Sequence, residues 1–501
     1  MTTAEEYYES AMMHLQQGHR PEAVLQMQQA LALKPNYPEA WNNRGNLLYQ
    51  LGNHFDAVLN FDRAIALQPS IGEYHNNRGA ALMDLGRMDE AEASYRAAIR
   101  LNPKSEHALT NYGNLLKLHH RDFPGAVEHY RRAVAAAPGY VDAHLNLSFA
   151  LLEIGDFKGG WEEYEWRWKC GQLLPRGLPF IEWDGSELSS GHAILLYTEQ
   201  GHGDALQFMR YAPLVKRMYP EARVYVELRQ HLTRLAKTLS PVDGIIAFGE
   251  PLPEGLTHSA ALMSLPRILG TSVETIPAEM PYLHAHPWRA AQFAKVIAEL
   301  PPGPRVGLCW AGMYRGSQPI AADIDKRRSL PLSSFAVLAK IPGISWVNLQ
   351  LGPPAEQVKA PPPGMTIGDW MPEVEDFYDT AALIENLDLI ISVDTAVVHL
   401  AGALGKPVWM LSRYDGCWRW MGPRADSPWY PTLRQFRQPK PGDWDACLLE
   451  TSLALTEWRD DRYRERQETL DERLGPAGPA TTFRATAPLG LNGGPPQQQG
   501  L

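Results

Sequence analysis

The chain has few cysteines and no long apolar segment. Its four cysteines, Cys170, Cys309, Cys417 and Cys447, lie far apart and form no CxxC pair. This spacing argues against a disulfide framework or a zinc ribbon, and it predicts an intracellular protein without a bound metal. No run of about 18 apolar residues occurs, and the start, MTTAEEYYES, has neither a basic region nor an apolar core. We therefore expect a soluble, cytoplasmic protein with no membrane span.

A surplus of basic residues is also missing. The formal net charge is -10, from 47 lysines and arginines against 57 acidic residues. A nucleic-acid groove needs a basic surface, so we expect no nucleic acid among the partners. A length of 501 residues is enough for roughly three domains.

The N-terminal third of the chain is periodic. Pro35, Pro69 and Pro103 are 34 residues apart, and Pro138 follows after 35. One position of each period is small (Ala11, Gly45, Gly79, Gly113, Ser148), and a later one is large (Met27, Phe61, Tyr95, Tyr130). These residues resemble the tetratricopeptide repeat and predict an all-α solenoid over residues 1–160. The fourth copy has one extra residue near His119 to Pro124, in the turn between its helices, where an insertion is tolerated best.

An asparagine recurs on the first helix of the later repeats, at Asn43, Asn77, Asn111 and Asn146. Stacked repeats would align these carboxamides on the concave face, where each can donate to and accept from a peptide backbone of any sequence. One interpretation is a ladder that binds an acceptor peptide, similar to the superhelix of the O-linked N-acetylglucosamine transferases. The alternative is that these asparagines bond only within and between the repeats.

The pattern changes over residues 161–191. An aromatic cluster followed by LLPRGLPFIEWDG predicts a cap that ends the solenoid and joins it to the next domain. Beyond it, strand-like apolar runs alternate with helix-compatible segments, near residues 193–198, 223–227, 244–248, 305–311, 344–350, 387–393 and 407–411. Such alternation predicts parallel sheets. The expected fold class is α plus α/β, a solenoid followed by two Rossmann-like lobes at 192–290 and 303–455. Residues 475–501 are poor in large apolar side chains and predict a disordered tail.

The second lobe contains DLIISVDTAVVHLAGALGKPVWML, which predicts a strand, a helix and a second strand. Asp394 lies at the end of the first strand, and we expect it to cap the helix. The free N–H groups near Thr395 and Ala396, with the Thr395 hydroxyl, then favour a phosphate. His399 falls on the same helix face as Thr395 and can reach the same group; a buried structural histidine is the alternative.

The first lobe contains EQGHGDALQF after its first strand. Gly201 and Gly203 flank His202 in a predicted turn, and Asp204 occupies the expected N-cap of the next helix. A carboxylate on a loop above a sheet can take the proton of an attacking hydroxyl. A capping aspartate without chemistry is the alternative.

Four segments together resemble the heptosyltransferase family of two-lobed glycosyltransferases with the GT-B fold. They are EQGHGDALQF, WAGMYRGSQPIAADIDKRRSLPL, ISVDTAVVHLAGALGKPVW and WRWMGPRADSPWYPTLRQFRQPKPGDW. They are most similar to the bacterial branch in which tetratricopeptide repeats precede the transferase. The resemblance implies an inverting, metal-independent transferase with a nucleotide-sugar as co-substrate and no other cofactor.

The family pattern also implies roles for single residues. Asp204 matches the acidic residue of the GxGD turn and is the expected general base, although His202, where the family more often has an aliphatic residue, competes for that role. Basic residues after the WAG segment are expected to bind the leaving diphosphate, and the candidates are Arg315, Lys326, Arg327 and Arg328, of which Arg328 fits the family register best. Trp418, Trp420, Trp429 and Tyr430 either stack on the donor or pack the lobes together.

The expected function is transfer of a sugar from a nucleotide-sugar to a hydroxyl of a protein acceptor that the repeats recruit. By resemblance alone, flagellin or another surface protein is the acceptor. Two alternatives stay open. The acceptor is a glycan or lipid-linked sugar, with the repeats used for assembly, or the chain is an inactive scaffold that binds proteins.

Overall fold

The computed structural model describes residues 2–171, 173–313, 319–422 and 424–474. Arg315 and the predicted tail, 475–501, lie outside the described residues. The chain divides into two units, and the second begins at Leu453. No helix in the described ranges has both the length and the apolarity to cross a bilayer.

The N-terminal residues form a solenoid of helix pairs, as predicted. In chain order the helices are α1 (Ala4–Gln16), α2 (Arg20–Leu33), α3 (Pro38–Gln50), α4 (His54–Leu67), α5 (Gly72–Asp84), α6 (Met88–Leu101), α7 (Glu106–Leu115), α8 (Phe123–Ala136), α9 (Val141–Glu153) and α10 (Phe157–Tyr164). The repeated small residue allows the two helices of a pair to approach. A Cβ on Gly79 would lie 2.6 Å from the ring of Tyr95, and Gly45 and Gly113 meet Phe61 and Tyr130 in the same way.

The repeated asparagines bond to neighbouring repeats. Asn77 Nδ2 donates to Asn42 Oδ1 at 3.0 Å, and Asn111 Nδ2 donates to Asn76 Oδ1 at the same distance. Asn43 Nδ2 donates to the Tyr8 hydroxyl at 2.7 Å. Asn146 differs, because its Nδ2 donates to the carbonyl of Asp142 in its own helix. These asparagines therefore have a structural role within and between repeats. Binding of a peptide by their remaining donors and acceptors stays a prediction.

The extra residue of the fourth repeat is accommodated by a π-helical turn. Leu116–His120 extends α7 as a π-helix, and Arg121 follows with a φ of 53°. A left-handed backbone is uncommon for a residue with a side chain. This turn contacts the second lobe through Arg121 and His119.

The first lobe is a parallel sheet with helices between its strands. Its elements are β1 (Ile181–Glu182), β2 (Ala193–Tyr197), α11 (His202–Phe208), α12 (Tyr211–Met218), β3 (Arg223–Leu228), α13 (Gln230–Ala236), β4 (Gly244–Ala247), β5 (His258–Ala261), α14 (Leu265–Ile268) and α15 (Pro287–Ile297). The strand order is β1-β5-β2-β3-β4. Strand β1 lies inside the segment expected to be only a cap and junction.

The second lobe is a parallel sheet of strand order β11-β10-β9-β6-β7-β8. Its elements are β6 (Arg305–Cys309), α16 (Pro319–Arg328), α17 (Ala336–Ala339), β7 (Ser345–Asn348), β8 (Ile367–Gly368), α18 (Phe377–Glu385), β9 (Leu389–Val393), α19 (Ala396–Ala403), β10 (Val408–Ser412) and β11 (Leu433–Arg437). Helix α20 (Trp444–Leu474) follows in the sequence and continues into the second unit. A strand forms in every predicted run of both lobes. The predicted fold class, a solenoid followed by two parallel-sheet α/β lobes, is confirmed, and it is consistent with GT-B.

The end of the solenoid packs on both lobes. The indole of Trp161 in α10 makes edge contacts with Phe208 of the first lobe and with Trp418 of the second, with ring centroids 5.8 and 5.2 Å apart. Phe157 stacks on Trp429 at 6.0 Å. These buried rings belong to one continuous apolar core that includes both sheets.

Candidate active site

The second lobe has a crevice at the carboxyl ends of β6 and β9. Strands β7 and β8 follow β6 on one side of the sheet, whereas β9, β10 and β11 lie on its other side. The connections therefore diverge between β6 and β9. Ligands of open α/β sheets bind in the crevice at such a switch point. Residues Ala311 and Gly312 follow β6 here, and Asp394 and Thr395 follow β9.

Arg328 bridges this crevice. Its Nη1 donates to the backbone carbonyl of Asp394 at 2.7 Å, and its Nη2 donates to Asp325 at 2.6 Å. Gly312 makes room for the guanidinium, because a Cβ there would lie 2.6 Å from Arg328 Nε. That Nε is buried and has no hydrogen-bond partner among the described residues. A buried N–H without a partner is unfavourable, so this donor is available for an anion in the crevice.

Helix α19 begins at the same crevice, and its cap differs from the prediction. Thr395, and not Asp394, is the N-cap, and its hydroxyl accepts from the Val397 N–H at 3.3 Å. The reason is that Asp394 still belongs to the turn after β9, where its carbonyl accepts from Arg328. The side chains of residues 394–397 are half-buried. The helix N-terminus is therefore partly open to the crevice, and its N–H groups favour a negative charge.

Asp204 also differs from the expected cap. Gly201 is the N-cap of α11, and Asp204 is its third residue, with Oδ2 accepting from the Gly201 N–H at 2.9 Å. Oδ1 accepts from Arg419 Nη2 of the second lobe at 2.5 Å. The carboxylate side chain is 23% exposed. Each carboxylate oxygen can accept a second hydrogen bond, so a substrate hydroxyl can still be bound.

Arg419 was not recognised from the sequence. It lies in the loop WRWMGPR, between two tryptophans, and no motif marks it as a functional cation. Its Nε donates to Gln207 at 2.9 Å, and its guanidinium lies 4.3 Å from the ring of Trp418. Burial alone would lower the pKa of Arg419, but Asp204 and other neighbours raise it above the ordinary value. The Asp204–Arg419 pair therefore joins the two lobes, and Arg419 in it is a cation.

Helices α11 and α19 meet closely at Gly203. A Cβ on Gly203 would lie 2.8 Å from Cδ2 of His399 and 3.7 Å from Cα of Ala396. His399 is 5% exposed, and its Nδ1 is 3.0 Å from the Tyr430 hydroxyl. Burial lowers the pKa of His399 to about 4, so its imidazole is neutral near pH 7. The sequence left two roles open for His399, a phosphate contact and a structural role. In the structure it is a buried histidine in the contact between the lobes.

His202 lies beside this contact and faces the second lobe. Its ring centroid is 5.4 Å from that of Phe377 and 6.0 Å from that of His231. Burial, with Arg229 and His231, lowers the pKa of His202. Its Nε2 is buried without a hydrogen-bond partner in the part of the chain that the structure describes. Asp204 and His202 both remain predicted bases.

A second carboxylate near Asp204, that of Glu199, was not recognised from the sequence. Glu199 follows β2, and its side chain is 4% exposed. Its Oε1 accepts from Arg167 Nη2 at 3.1 Å, and the same nitrogen donates to Ser264 after β5 at 2.7 Å. Strands β2 and β5 flank the switch point of the first sheet, so the end of the solenoid fills that crevice. The nearby Gln200 Nε2 donates to the Tyr164 hydroxyl at 2.7 Å.

The carboxyl of Glu199 predicts a dependence of stability on pH. Burial raises its pKa to about 7, against the lowering by Arg167 and with a further rise from Asp204. The folded chain then binds a proton between pH 4.5 and 7 that the unfolded chain does not bind. This contribution is complete below pH 4.5 and disappears as the pH rises through 7. Glu199→Gln also removes a partner of Arg167, so its effect is compared between pH values: we expect the change in melting temperature to be more favourable at pH 8 than at pH 5, and an equal change at both would contradict this.

Lys326 lies at a cleft next to Arg328. The cleft has a volume of about 520 Å³, which suits a small-molecule ligand. Its lining includes Ala311, Gly312, Asp323, Lys326, Ser329, Pro331, Pro354 and Gln357. Arg327 does not line this cleft, and its guanidinium pairs with Asp323 and Asp415. Arg315, the fourth basic candidate, lies outside the described residues.

The aromatic residues of the loop before β11 pack the domains together. Trp418 is 6% exposed, with Trp161 against its edge and Arg419 over its face. The expectation that Trp418 stacks on the donor is therefore corrected, because the solenoid and Arg419 occupy its surface. Trp420 stacks on His399 at 5.2 Å, and Trp429 and Tyr430 are fully buried.

Family comparisons agree with this division of the chain. Profiles of the tetratricopeptide repeat match residues 13–52, 38–71, 72–105 and 115–164. The N-terminal part is a tetratricopeptide-repeat solenoid. The profile of glycosyltransferase family 9 (heptosyltransferase) matches residues 372–414, which include β9, α19 and the Asp394–Thr395 side of the crevice but not Gly312 or Arg328. The second lobe thus carries a glycosyltransferase family 9 segment, and this supports a glycosyltransferase.

Single proteins resemble the chain more distantly. Protein FlbA of Caulobacter vibrioides is 27% identical over 351 residues, which are 65% of this chain and 57% of FlbA. The crystal structure of MamA from Desulfovibrio magneticus RS-1 is 22% identical, covers 33% of this chain and 92% of that chain, and has a TM-score of 0.29. Pseudomonas aeruginosa PilF is 18% identical, covers 32% of this chain and 74% of that chain, and has a TM-score of 0.31.

Proposed function

We propose that the chain transfers a sugar from a nucleotide-sugar to a hydroxyl group of a protein acceptor, without a metal and with inversion at the anomeric carbon. The observation that carries this proposal is the crevice between β6 and β9, where Arg328, with its free Nε, lies beside the N-terminus of α19. The glycosyltransferase family 9 segment, residues 372–414, covers the β9 and α19 side of this crevice and supports a glycosyltransferase.

The donor binds at the second lobe in this proposal. Its diphosphate accepts from the N–H groups at Thr395 and Ala396, and Arg328 neutralises part of its charge. Lys326, exposed at the rim of the adjoining cleft, supplies a further positive charge. These groups stabilise the negative charge that develops as the diphosphate leaves. His399 stays buried, and it holds α19 against Gly203 of the first lobe.

The acceptor hydroxyl is activated by the first lobe. Asp204 takes the hydroxyl proton as the oxygen attacks the anomeric carbon. A new C–O bond forms, and the bond between the anomeric carbon and the diphosphate oxygen breaks on the opposite face, which inverts the configuration. Arg419 keeps the Asp204 carboxylate in position and oriented toward the second lobe. His202 is the alternative base.

The acceptor is a protein recruited by the solenoid in this proposal. The end of the solenoid contacts the segment just before α11, because the Tyr164 hydroxyl accepts from Gln200, four residues before Asp204. A segment bound along the repeats is thereby brought toward the base. The carbonyl oxygens of Asn43 and Asn77 each accept one hydrogen bond, from Asn42 and Asn76. A carbonyl oxygen has two lone pairs, so those of Asn43, Asn77 and Asn111 keep capacity for a peptide N–H.

Replacing Arg328 with glutamine tests the donor site. Nucleoside diphosphates should raise the melting temperature of the wild type, since a ligand of the folded state stabilises it. We expect Arg328→Gln to weaken that binding about tenfold or more, the usual effect of losing a charge-assisted hydrogen bond. Arg305→Gln, at the opposite end of β6, is the matched control and should bind like the wild type. Equal affinity in all three proteins would refute the donor site.

A further inference from the structure

The inserted turn of the fourth repeat docks on the second lobe beside the crevice. Arg121 Nη1 donates to the carbonyl of Tyr414 at 2.6 Å, and the Tyr414 hydroxyl donates to the carbonyl of His119 at 3.2 Å. The Arg121 guanidinium lies 5.4 Å from the ring of Tyr414. The turn that contains the extra residue of this repeat thus contacts the second lobe. The other repeats lack this extra residue.

Basic side chains from both domains converge at this contact. The solenoid supplies Lys117 and Arg121, and the lobe supplies Arg413 after β10 and Arg437 at the end of β11. These strands end at the same edge of the sheet as β9, so the cluster lies on the ligand side of the lobe. Gly416 makes room for Arg437 because it has no side chain. A Cβ at this position would lie 2.4 Å from Arg437 Nη1.

The positive charge of this cluster is incompletely balanced. Glu153 is buried at its centre, where burial raises its pKa to about 7 and Arg437, Lys117, Arg121 and Arg413 lower it. Its carboxylate makes no ion pair with any described residue. Asp415 is a further acidic group, and it already pairs with Arg327 as well as with Arg413. Asp394 also interacts electrostatically with Arg437, but without an ion pair to it among the described residues.

Three guanidinium nitrogens of the cluster lack acceptors. Arg121 Nη2, Arg413 Nη1 and Arg437 Nη1 are all buried, and none has a hydrogen-bond partner within the described ranges. Buried donors are almost always paired, and a buried charge without a partner is costly. Guanidinium groups bind phosphate oxygens through paired N–H donors, and a phosphate offers several acceptors to several arginines at once.

We propose that Arg121, Arg413 and Arg437, with Lys117, bind a phosphate group where the inserted turn of the solenoid meets the second lobe. The occupant contacts both domains, so its binding holds the solenoid on the lobe. The site needs no transfer chemistry. It is formed by other side chains than those of the crevice, Arg328 and Thr395, although Arg437 interacts electrostatically with Asp394 of the crevice.

Calorimetric titration of the full chain with inorganic phosphate, pyrophosphate and nucleoside diphosphates tests this site. We expect pyrophosphate to bind the wild type, and Arg121→Gln and Arg437→Gln each to weaken it about tenfold or more. Two arginines outside the cluster are matched controls. Arg434→Gln changes the same strand, where Arg434 lies over Trp409, and Arg100→Gln changes an exposed solenoid residue. Both controls should bind like the wild type.

The ligands distinguish the source of the phosphate. If Arg121→Gln also weakens nucleoside diphosphates, the phosphate belongs to a nucleotide; if it weakens only inorganic phosphate and pyrophosphate, the site binds a free anion. Both results support the site. Should Arg437→Gln fail to fold, Arg121→Gln decides alone, because Arg121 lies on a turn. Wild-type affinity of Arg121→Gln for every ligand, or no binding of any of them to the wild type, overturns the proposal.

Discussion

Replacing Asp204 with asparagine should lower the rate of sugar transfer by about 10²- to 10⁴-fold, the usual contribution of a general base. Asparagine has nearly the same shape, and its Oδ1 can still accept from Arg419, so the contact between the lobes is retained. The substitution removes the group that receives the proton. The measurement is release of nucleoside diphosphate from the nucleotide-sugar that the chain turns over.

The donor site separates this loss of chemistry from a loss of structure. Asp204 is on the first lobe, whereas Arg328 and Thr395 are on the second, so Asp204→Asn should bind nucleoside diphosphates like the wild type. Asp426→Asn, which changes an exposed partner of Arg424, is the control and should retain full activity. If Asp204→Asn turns over the nucleotide-sugar at the wild-type rate, Asp204 is not the base, and His202 or another group has that role.

Replacing Arg419 with methionine should give the largest loss of stability. Its side chain is 10% exposed, and it donates both to Asp204 and to Gln207. Methionine can fill much of the same space against Trp418, but it leaves the Asp204 carboxylate without its positive partner. Breaking one half of a buried ion pair lowers the free energy of unfolding by about 3–5 kcal/mol; because Asp204 is partly exposed, we expect about 3 kcal/mol.

A matched arginine lies in the same loop. Arg424 pairs with Asp426, whose side chain is 70% exposed, so Arg424→Met should change the free energy of unfolding by about 1 kcal/mol or less. Denaturant unfolding of both variants gives the comparison. If Arg419→Met is as stable as Arg424→Met, the pair between the lobes does not hold them together.

The sequence was sufficient for the fold because its signals are local and regular. The 34-residue period fixes the solenoid, and the buried strands of both sheets are apolar runs that a parallel arrangement requires. The strands that escaped prediction lack that signal. Strand β5, His258–Ala261, is small and polar, β11, Leu433–Arg437, alternates with charged residues, and β1 and β8 have two residues each.

The site was predictable in part, because motifs identify residues and not their partners. The placement of Asp204 and Thr395 near the helix starts that follow β2 and β9 was predicted from the pattern, and Arg328 from the family register, but both helix caps were assigned to the wrong residue. A cap depends on where the backbone leaves the strand, and one residue changes it. Arg419 and Glu199 were missed since their roles depend on contacts with residues far away in the chain.

Trp418 illustrates the same limit. An aromatic residue in a loop rich in proline and glycine is suited both to ligand stacking and to packing, and the sequence does not separate the two. Only the position of Trp161 at the end of the solenoid decides between them. The row of asparagines was similarly ambiguous, and the bonds between repeats use part of its capacity.

A crystal structure of the chain with a bound nucleoside diphosphate tests the central claim most directly. We predict that the diphosphate lies between Gly312 and Thr395, with its oxygens within hydrogen-bond distance of the Arg328 guanidinium and of the N–H groups at the start of α19. A crevice between Gly312 and Thr395 left empty by the bound nucleotide, or no binding of any nucleoside diphosphate, would contradict the account.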